Sequence, residues 1–451
     1  MSRNPSPLPP SRLGMPEQDA AELQQMPDCE AVDLLLPDMN GLLRGKRISR
    51  SALEKIYADG VCLPMSLIAT DITGNTVEET GLGYAIGDED RICRPVPGTL
   101  RPIPWQPRPM AQLLLAMEDA DGGVFEANPR EVLKRVLARF DALGLRPVVA
   151  VELEFYLLDG ECGQDGRPRT SINPATGARN ATTQVYYMQD LDDYQEFTDA
   201  VADACRAQQI PADTAVAEYA PGQFEINLKH RDDALLACDD ALYLKRAIKA
   251  IAGQQGLLAS FMAKPFVDQA GSGMHIHASI LDRDGNNILA CTPEAPADAL
   301  RHAVAGLQAS SRDCMLLFAP HANSYRASCS TPSCRSTIAG DSTTARWQCA
   351  FRIRTPPIPA SSTASPAPTP IPTWSPRRCW RASCAGSRKR ATRARRSSAT
   401  PTSRPRRAHC SGATPSPTSW AAVSCARPSG PGSSTSTGSR SSRRCAASKP
   451  R

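Results

Sequence analysis

Residues 327–451 contain no leucine, a single valine and one acidic side chain, Asp341, against 22 Lys+Arg. A segment so poor in branched aliphatic groups cannot bury enough apolar surface to offset the entropy of ordering its backbone. The sequence therefore predicts a disordered basic tail there. Other absences concern the whole chain. No apolar run reaches the roughly 18 residues of a membrane-spanning helix. The opening "MSRNPSPLPPSRLGM" lacks the apolar centre of a secretory signal, so none is expected. Half of the 16 cysteines lie in the tail, and the other eight show no paired spacing. That fits a reducing cytoplasm better than a disulfide framework. No nucleic-acid or membrane partner is expected.

Residues 1–326 are of another kind. They carry 30 Lys+Arg against 45 Asp+Glu, a net of −15, with frequent Leu, Val, Ile and Ala in periodic patterns. About 300 such residues suffice for a small and a large domain. Residues 1–25 read as a flexible leader. Residues 26–110 hold short apolar runs, "AVDLLLPD" and "GVCLPMSLIATDITG", between Gly, Pro and Asp, as in a small strand-rich domain. "RPVPGTLRPIPWQPRP" must run extended and is expected to be a linker. Within 111–326, "NPREVLKRVLARFDALG" has the features of a capped amphipathic helix: Asn128 before Pro129, Glu131 three residues on, apolar positions at Val132, Leu133, Val136, Leu137 and Phe140, and Gly144 at the end. Strands are expected in "LRPVVAVELEFYLLD", "TAVAEYAPGQFEINLK" and "GMHIHASIL". Helices are expected in "DLDDYQEFTDAVADACRAQQ" and "DDALLACDDALYLKRAIKAIAGQQG". This order favours antiparallel pairing with helices packed outside, an α+β fold.

Three of those strands carry chemistry. Side chains alternate across a strand, so Glu152 and Glu154 share a face of "VELEFYLL". An exposed edge strand would explain them, but the flanking "RPVVAV" and "FYLL" are nearly continuous apolar runs, as in a strand covered on both faces. In "GQFEINL", Gln223, Glu225 and Asn227 point one way and Phe224, Ile226 and Leu228 the other, with Glu218 just upstream. In "GSGMHIHAS", His275, His277 and Ser279 share a face, in a chain with six histidines. Gly271 and Gly273 before them allow close approach of a ligand to backbone. Each strand alone is compatible with ordinary packing. Together, four carboxylates and an imidazole facing inward require a cation, and an oxygen-rich set suits Mg²⁺ or Mn²⁺ rather than zinc. Such ions most often serve phosphoryl transfer from ATP.

The segment "KPFVDQAGSGMHIHAS", Lys264–Ser279, resembles the nucleotide-region signature of the glutamine synthetase family. "VELEF", "AEYAPGQFEI" and "APHANSYR" follow in the order that family shows. "DMNGLLRGKRI" and "TDITGNTVEETGLGYAIGDEDR" resemble the branch that joins glutamate to polyamines such as putrescine. The resemblance spans about residues 25–326. It implies a small β-grasp domain, a larger domain built on an open antiparallel barrel with outer helices, and rings of subunits with sites between neighbours. It also implies ATP-driven phosphorylation of the glutamate γ-carboxylate, then displacement by ammonia or an amine. By motif, Glu154, Glu218 and Glu225 resemble ligands of one metal, and Glu152 and His275 ligands of a second. His277 and Ser279 resemble ATP-contacting positions, Gly271 a glutamate-contacting backbone, and Asp71 the acid that deprotonates the amine. The spacing from Glu218 to Glu225 is one residue shorter than in the ammonia-using enzymes.

The resemblance ends at Arg326. The "NRT" and "RIEHR" arginines, the last metal-ligating glutamate and "ANPYL" do not follow. Ala360–Trp374, "ASSTASPAPTPIPTW", can however be coded so that a one-base shift reads R-I-E-H-R-V-A-G-A-D-A-N-P-Y-L. Thr343–Arg352 can likewise give D-N-R-T-V-A-M-R-I-P. Residues 327–451 are thus expected to be out-of-frame, and the chain as written to be inactive. Two alternatives stand beside this. One is a non-catalytic relic that binds nucleotide or metal, or joins rings of an intact paralogue. The other is a genuine basic tail.

Overall fold

The computed structural model describes residues 14–180, 182, 184–290, 298–329 and 351–352, with backbone only for 327–329 and 351–352. The first helix, α1 (Glu17–Gln24), lies within the expected flexible leader but is docked. Its buried Asp19 accepts the backbone N–H groups of Gly98 (3.0 Å) and Leu100 (3.2 Å). Two backbone donors satisfy a carboxylate that burial would otherwise penalise.

Six strands follow: β1 (Ala31–Pro37), β2 (Leu43–Ser49), β3 (Val61–Pro64), β4 (Asp90–Pro95), β5 (Arg101–Pro102) and β6 (Met110–Met117), with α2 (Leu53–Asp59) between β2 and β3. The sheet order is β2-β1-β6-β4-β3, with β5 also on β6. The central β1–β6 pair is parallel and the others antiparallel. Both faces of this pair are covered, which explains the unbroken "DLLL". Leu34 and Leu36 enter one core, and Leu35 and Leu114 the other. Gly45 is required in β2: a Cβ there would lie 1.7 Å from the Leu34 carbonyl. The proline-rich segment is extended, as expected, but it does not act as a linker. Val96, Ile103 and Trp105 are buried in the core shared with the large sheet. The expected division at residue 110 falls on the first residue of β6, which completes the first sheet.

The second sheet is built from β7 (Arg146–Asp159), β8 (Ala212–Ala217), β9 (Gln223–Leu228), β10 (Leu257–Ser260), β11 (Met274–Leu281) and the two-residue β12 (Phe351–Arg352). Its order is β12-β11-β7-β9-β8, with β10 also on β7. All pairs are antiparallel except β11–β12, and no described strand joins β8 to β12. This is the open antiparallel arrangement expected. The helices are α3 (Pro129–Ala142), α4 (Met188–Asp193), α5 (Gln195–Ala207), α6 (Ala234–Gln254), α7 (Asp298–Ser311), α8 (Met315–Phe318) and α9 (Ala322–Cys329). The single helix expected over "DLDDYQEFTDAVADACRAQQ" breaks at Tyr194 (φ −108°, ψ 22°), whose hydroxyl meets Ser171 Oγ at 2.7 Å.

One face of β7 and β9 bears Leu153, Phe155, Phe224 and Ile226. They pack with Phe197 and Val201 of α5 and with Leu244, Ile248 and Ile251 of α6. Asp233 caps α6, accepting from Leu235 N (2.9 Å) and Leu236 N (3.0 Å). With that face given to the helices, the alternate residues of the same strands must point the other way. α3 forms as expected, with Asn128 Oδ1 accepting from Arg130 N (3.1 Å). Its apolar stripe, however, is covered only in part: Leu133, Leu137 and Phe140 are half-buried, while Val132 and Val136 remain 44% and 41% exposed. A buried polar seam ties the first sheet to the helices. Asp33 accepts from Arg47 (2.6 Å) and Arg246 (2.5 Å), and Arg246 also donates to Gln112 (2.9 Å). The tail expected to be disordered lies outside the described residues, save for the end of α9 (327–329) and the short β12.

Candidate metal centre

Strand register assembles the cluster. Glu152 stands opposite His275 across the β7–β11 ladder, and Glu154 opposite Glu225 across β7–β9. Directly opposed side chains lie within reach of one another. Glu218 directly follows β8, just before a turn in which Gly222 takes φ +73°, and its N–H donates to the Gln223 carbonyl at 2.8 Å. Of the five expected metal ligands, Glu152, Glu225 and His275 bring one ligand atom each within 4.8 Å of one another. His275 Nδ1 lies 3.2 Å from Glu152 Oε2, 3.9 Å from Glu225 Oε2 and 4.0 Å from Glu154 Oε1. The four carboxylates influence one another electrostatically, Glu218 included.

The two imidazoles serve one carboxylate. His277 Nε2 lies 2.7 Å from Glu152 Oε1, the other oxygen of the carboxylate that His275 meets. Burial raises the Glu152 pKa, but hydrogen bonding with both histidines outweighs it and holds the carboxyl well below its usual range. The other three go the opposite way. Burial, reinforced by Glu152, Glu218 and Glu154, pushes Glu225 up to about 7. Burial and then the Glu154 charge raise Glu218. Glu154 is raised by burial against the hydrogen bond it accepts from Gly273. His275 is raised, chiefly by its hydrogen bond to Glu152. The cluster therefore holds more carboxylate than its cations neutralise, and it strains toward protonation unless a further positive charge arrives.

That excess is what a divalent ion would relieve. The donor set fits: four carboxylates with one imidazole suit Mg²⁺ or Mn²⁺. Asn227 Oδ1, Ser272 Oγ and His277 Nδ1 are also buried with no hydrogen-bond partner, as polar atoms that await a bound group would be. Gly273 leaves little room for a side chain, because a Cβ there would meet Glu154 Oε1 at 3.2 Å and displace the carboxylate by a few tenths of an ångström.

The remaining expected residues fall as follows. His277 and Ser279 are buried on β11. The Gly271 carbonyl is taken up by Gln223 Nε2 at 3.0 Å. Asp71 lies in an exposed loop of the first sheet's region, where its hydrogen bonds go to Thr73 and Asn75 of the same loop. Its Oδ1 accepts from Thr73 N (2.8 Å), Thr73 Oγ1 (2.7 Å) and Asn75 N (2.9 Å). Those bonds, from Thr73 foremost, bring it down to about 2. Such a carboxylate is a weak proton acceptor but a good partner for an ammonium group.

Polar supports brace the cluster and its loop. Asn227 Nδ2 reaches Glu152 Oε1 at 3.4 Å, and Tyr156 Oη donates to the Ala270 carbonyl at 2.7 Å. Asn323 accepts from Lys264 N (2.8 Å) and donates to Lys264 O (2.9 Å). The alternation of Gln223, Glu225 and Asn227 was a signal for the first kind. The pairing of Asn323 with a loop 59 residues away had none.

The cluster thus lies on the carboxylate-rich face of an open antiparallel sheet backed by α5 and α6. Residues 126–334 match the family model "Glutamine synthetase, catalytic domain". It is 45% identical over 304 residues to the γ-glutamylputrescine synthetase PuuA of Escherichia coli K12, covering 67% of this chain and 64% of that protein. It is 34% identical to the γ-glutamylethanolamide synthetase GlnA4 of Streptomyces coelicolor (66% and 64% covered). It is 31% identical to the glutamate–isopropylamine ligase of a Pseudomonas species (64% and 63% covered). The chain thus spans less than two thirds of the length of these relatives. In fold it is similar to the GmaS/ADP complex, with a TM-score of 0.58 and 24% identity over 69% of this chain and 66% of that one.

Proposed function

We propose that residues 25–326 are the metal- and nucleotide-binding part of an ATP-dependent ligase that joins the γ-carboxylate of glutamate to an amine through γ-glutamyl phosphate. The observation that carries this reading is the convergence of Glu152, Glu225 and His275, with Glu225 pushed up to about 7 by burial among carboxylates. Glu154, Glu218 and Glu225 would hold one Mg²⁺ or Mn²⁺, and Glu152 and His275 a second. The ions supply neutralisation of phosphate charge during transfer. The chain's own contribution is orientation. His275 and His277 keep Glu152 ionised and aimed, and the Gly271–Gly273 loop lies against Glu154. His277 and Ser279 are assigned to ATP, and the Gly271 backbone to glutamate.

The amine is assigned to the polyamine class, with putrescine as its type, on the identity to the E. coli synthetase. Asp71 is assigned to the incoming ammonium of a neighbouring subunit's site, in rings of copies in the cytoplasm. A carboxylate this acidic attracts and orients the ammonium better than it strips its proton, so its first role is electrostatic.

The chain as it stands is proposed not to turn over, because residues 327–451 lack the arginine pairs that clamp carboxylates and phosphates and a further glutamate ligand. That absence favours a second reading, a metal-binding relic that joins an intact paralogue. The test is phosphate release from the purified full chain with ATP, glutamate, Mg²⁺ and putrescine. The expected result is metal binding without amine-dependent release, and turnover like that of an intact relative would refute the inactivity. Resequencing codons 320–335 tests the out-of-frame origin, which a clean read with no insertion or deletion relative to close relatives would exclude.

A further inference from the structure

We propose that Gln223 is a positioning residue that couples cation binding at Glu154 to the Gly271–Gly273 loop. This rests on the reading of the carboxylate cluster as a cation site. Gln223 is 2% exposed. Its Oε1 accepts the Ala220 N–H at 3.2 Å, which fixes the amide's orientation and aims Nε2 at the cluster. Nε2 then donates twice, to Glu154 Oε2 (3.1 Å) and to the Gly271 carbonyl (3.0 Å). Its backbone carbonyl takes the Glu218 N–H at 2.8 Å.

One residue thus touches a metal-facing carboxylate, the backbone of a second, and the loop carbonyl. Glu154 Oε2 is also held by the Gly273 N–H at 2.9 Å, and the Glu154 N–H donates to the Gly273 carbonyl at 3.2 Å. An ion that draws Glu154 into its coordination pulls on the loop through both paths. Outer partners of metal ligands commonly govern affinity in this way.

The test compares the full-length wild type with Gln223→Met and Gln223→Glu. Mn²⁺ affinity is read by electron paramagnetic resonance, and amide exchange is followed in residues 262–276 with and without saturating Mn²⁺. In the wild type, Mn²⁺ should slow exchange in this loop. Gln223→Met should bind Mn²⁺ roughly 10- to 100-fold more weakly and lose the slowing. Gln223→Glu keeps the shape but turns an acceptor toward Glu154 and the Gly271 carbonyl, so it should lose more than Met. A role in filling space alone gives the reverse order.

Folded variants that bind within twofold of wild type and retain the slowing overturn the proposal. Should neither variant fold, the wild type alone decides, since Mn²⁺ binding that leaves the exchange of 262–276 unchanged also overturns it. A wild type that binds no Mn²⁺ removes the cation reading itself, a different outcome from binding without a loop response.

Discussion

At the scale of single residues, Glu225 and Asp33 show how partners decide whether a buried carboxylate costs or contributes stability. Asp33 has two guanidinium partners, whose hydrogen bonds outweigh burial and lower its pKa. Asp33→Ala would leave the Arg246 guanidinium without its carboxylate in a largely buried seam, and should cost about 3–5 kcal/mol, read as a fall in urea midpoint. Glu225 sits among like charges with only a shared imidazole nearby. Its pKa rises from 4.5 to about 7 on folding. Below 4.5 both states hold the proton. Between the two values the unfolded chain has released it and the folded state has not, so stability falls as pH rises and is fully lost by about 7. The loss is on the order of 3 kcal/mol. Metal-free protein should therefore lose more stability from pH 5 to pH 8 than Glu225→Gln does, and Mn²⁺ should restore the difference. Equal pH dependence in the two proteins would contradict the assignment.

At the scale of elements, the strands and helices near the cluster were legible because their patterns are local. The alternation in "VELEFYLL" and "GQFEINL" placed Glu152, Glu154 and Glu225 on the cluster face, and the cap at Asn128 fixed the start of α3. Less legible were features set by distant partners. β10 is paired to β7, the proline-rich segment is buried under the large sheet, and α1 is docked through Asp19. None of these contacts leaves a local period. The stripe on α3 is a different kind of departure. Periodicity announced a buried face, yet Val132 and Val136 are exposed. Exposed apolar stripes promote association. Val136→Lys should therefore change the unfolding free energy by no more than about 0.5 kcal/mol, while light scattering on concentration falls. A large loss of stability would mean that the stripe is covered after all.

At the scale of the whole molecule, charge divides the chain more sharply than any domain boundary: −15 before residue 327 and +21 after it. The first part carries the expected two sheets and the cluster. The blocks that complete the site in the resemblance are missing after Arg326. On the proposed reading, the cation site persists in a chain that does not turn over. The most direct measurement is titration of Mn²⁺ into the full chain at pH 6 and pH 8, for wild type and Glu225→Gln. Since Glu225 must give up its proton to take the ion, saturable binding should be tighter at pH 8. The substitution should weaken it roughly tenfold or more. Absence of saturable binding at pH 8, or binding indifferent to both pH and Glu225, would contradict the account.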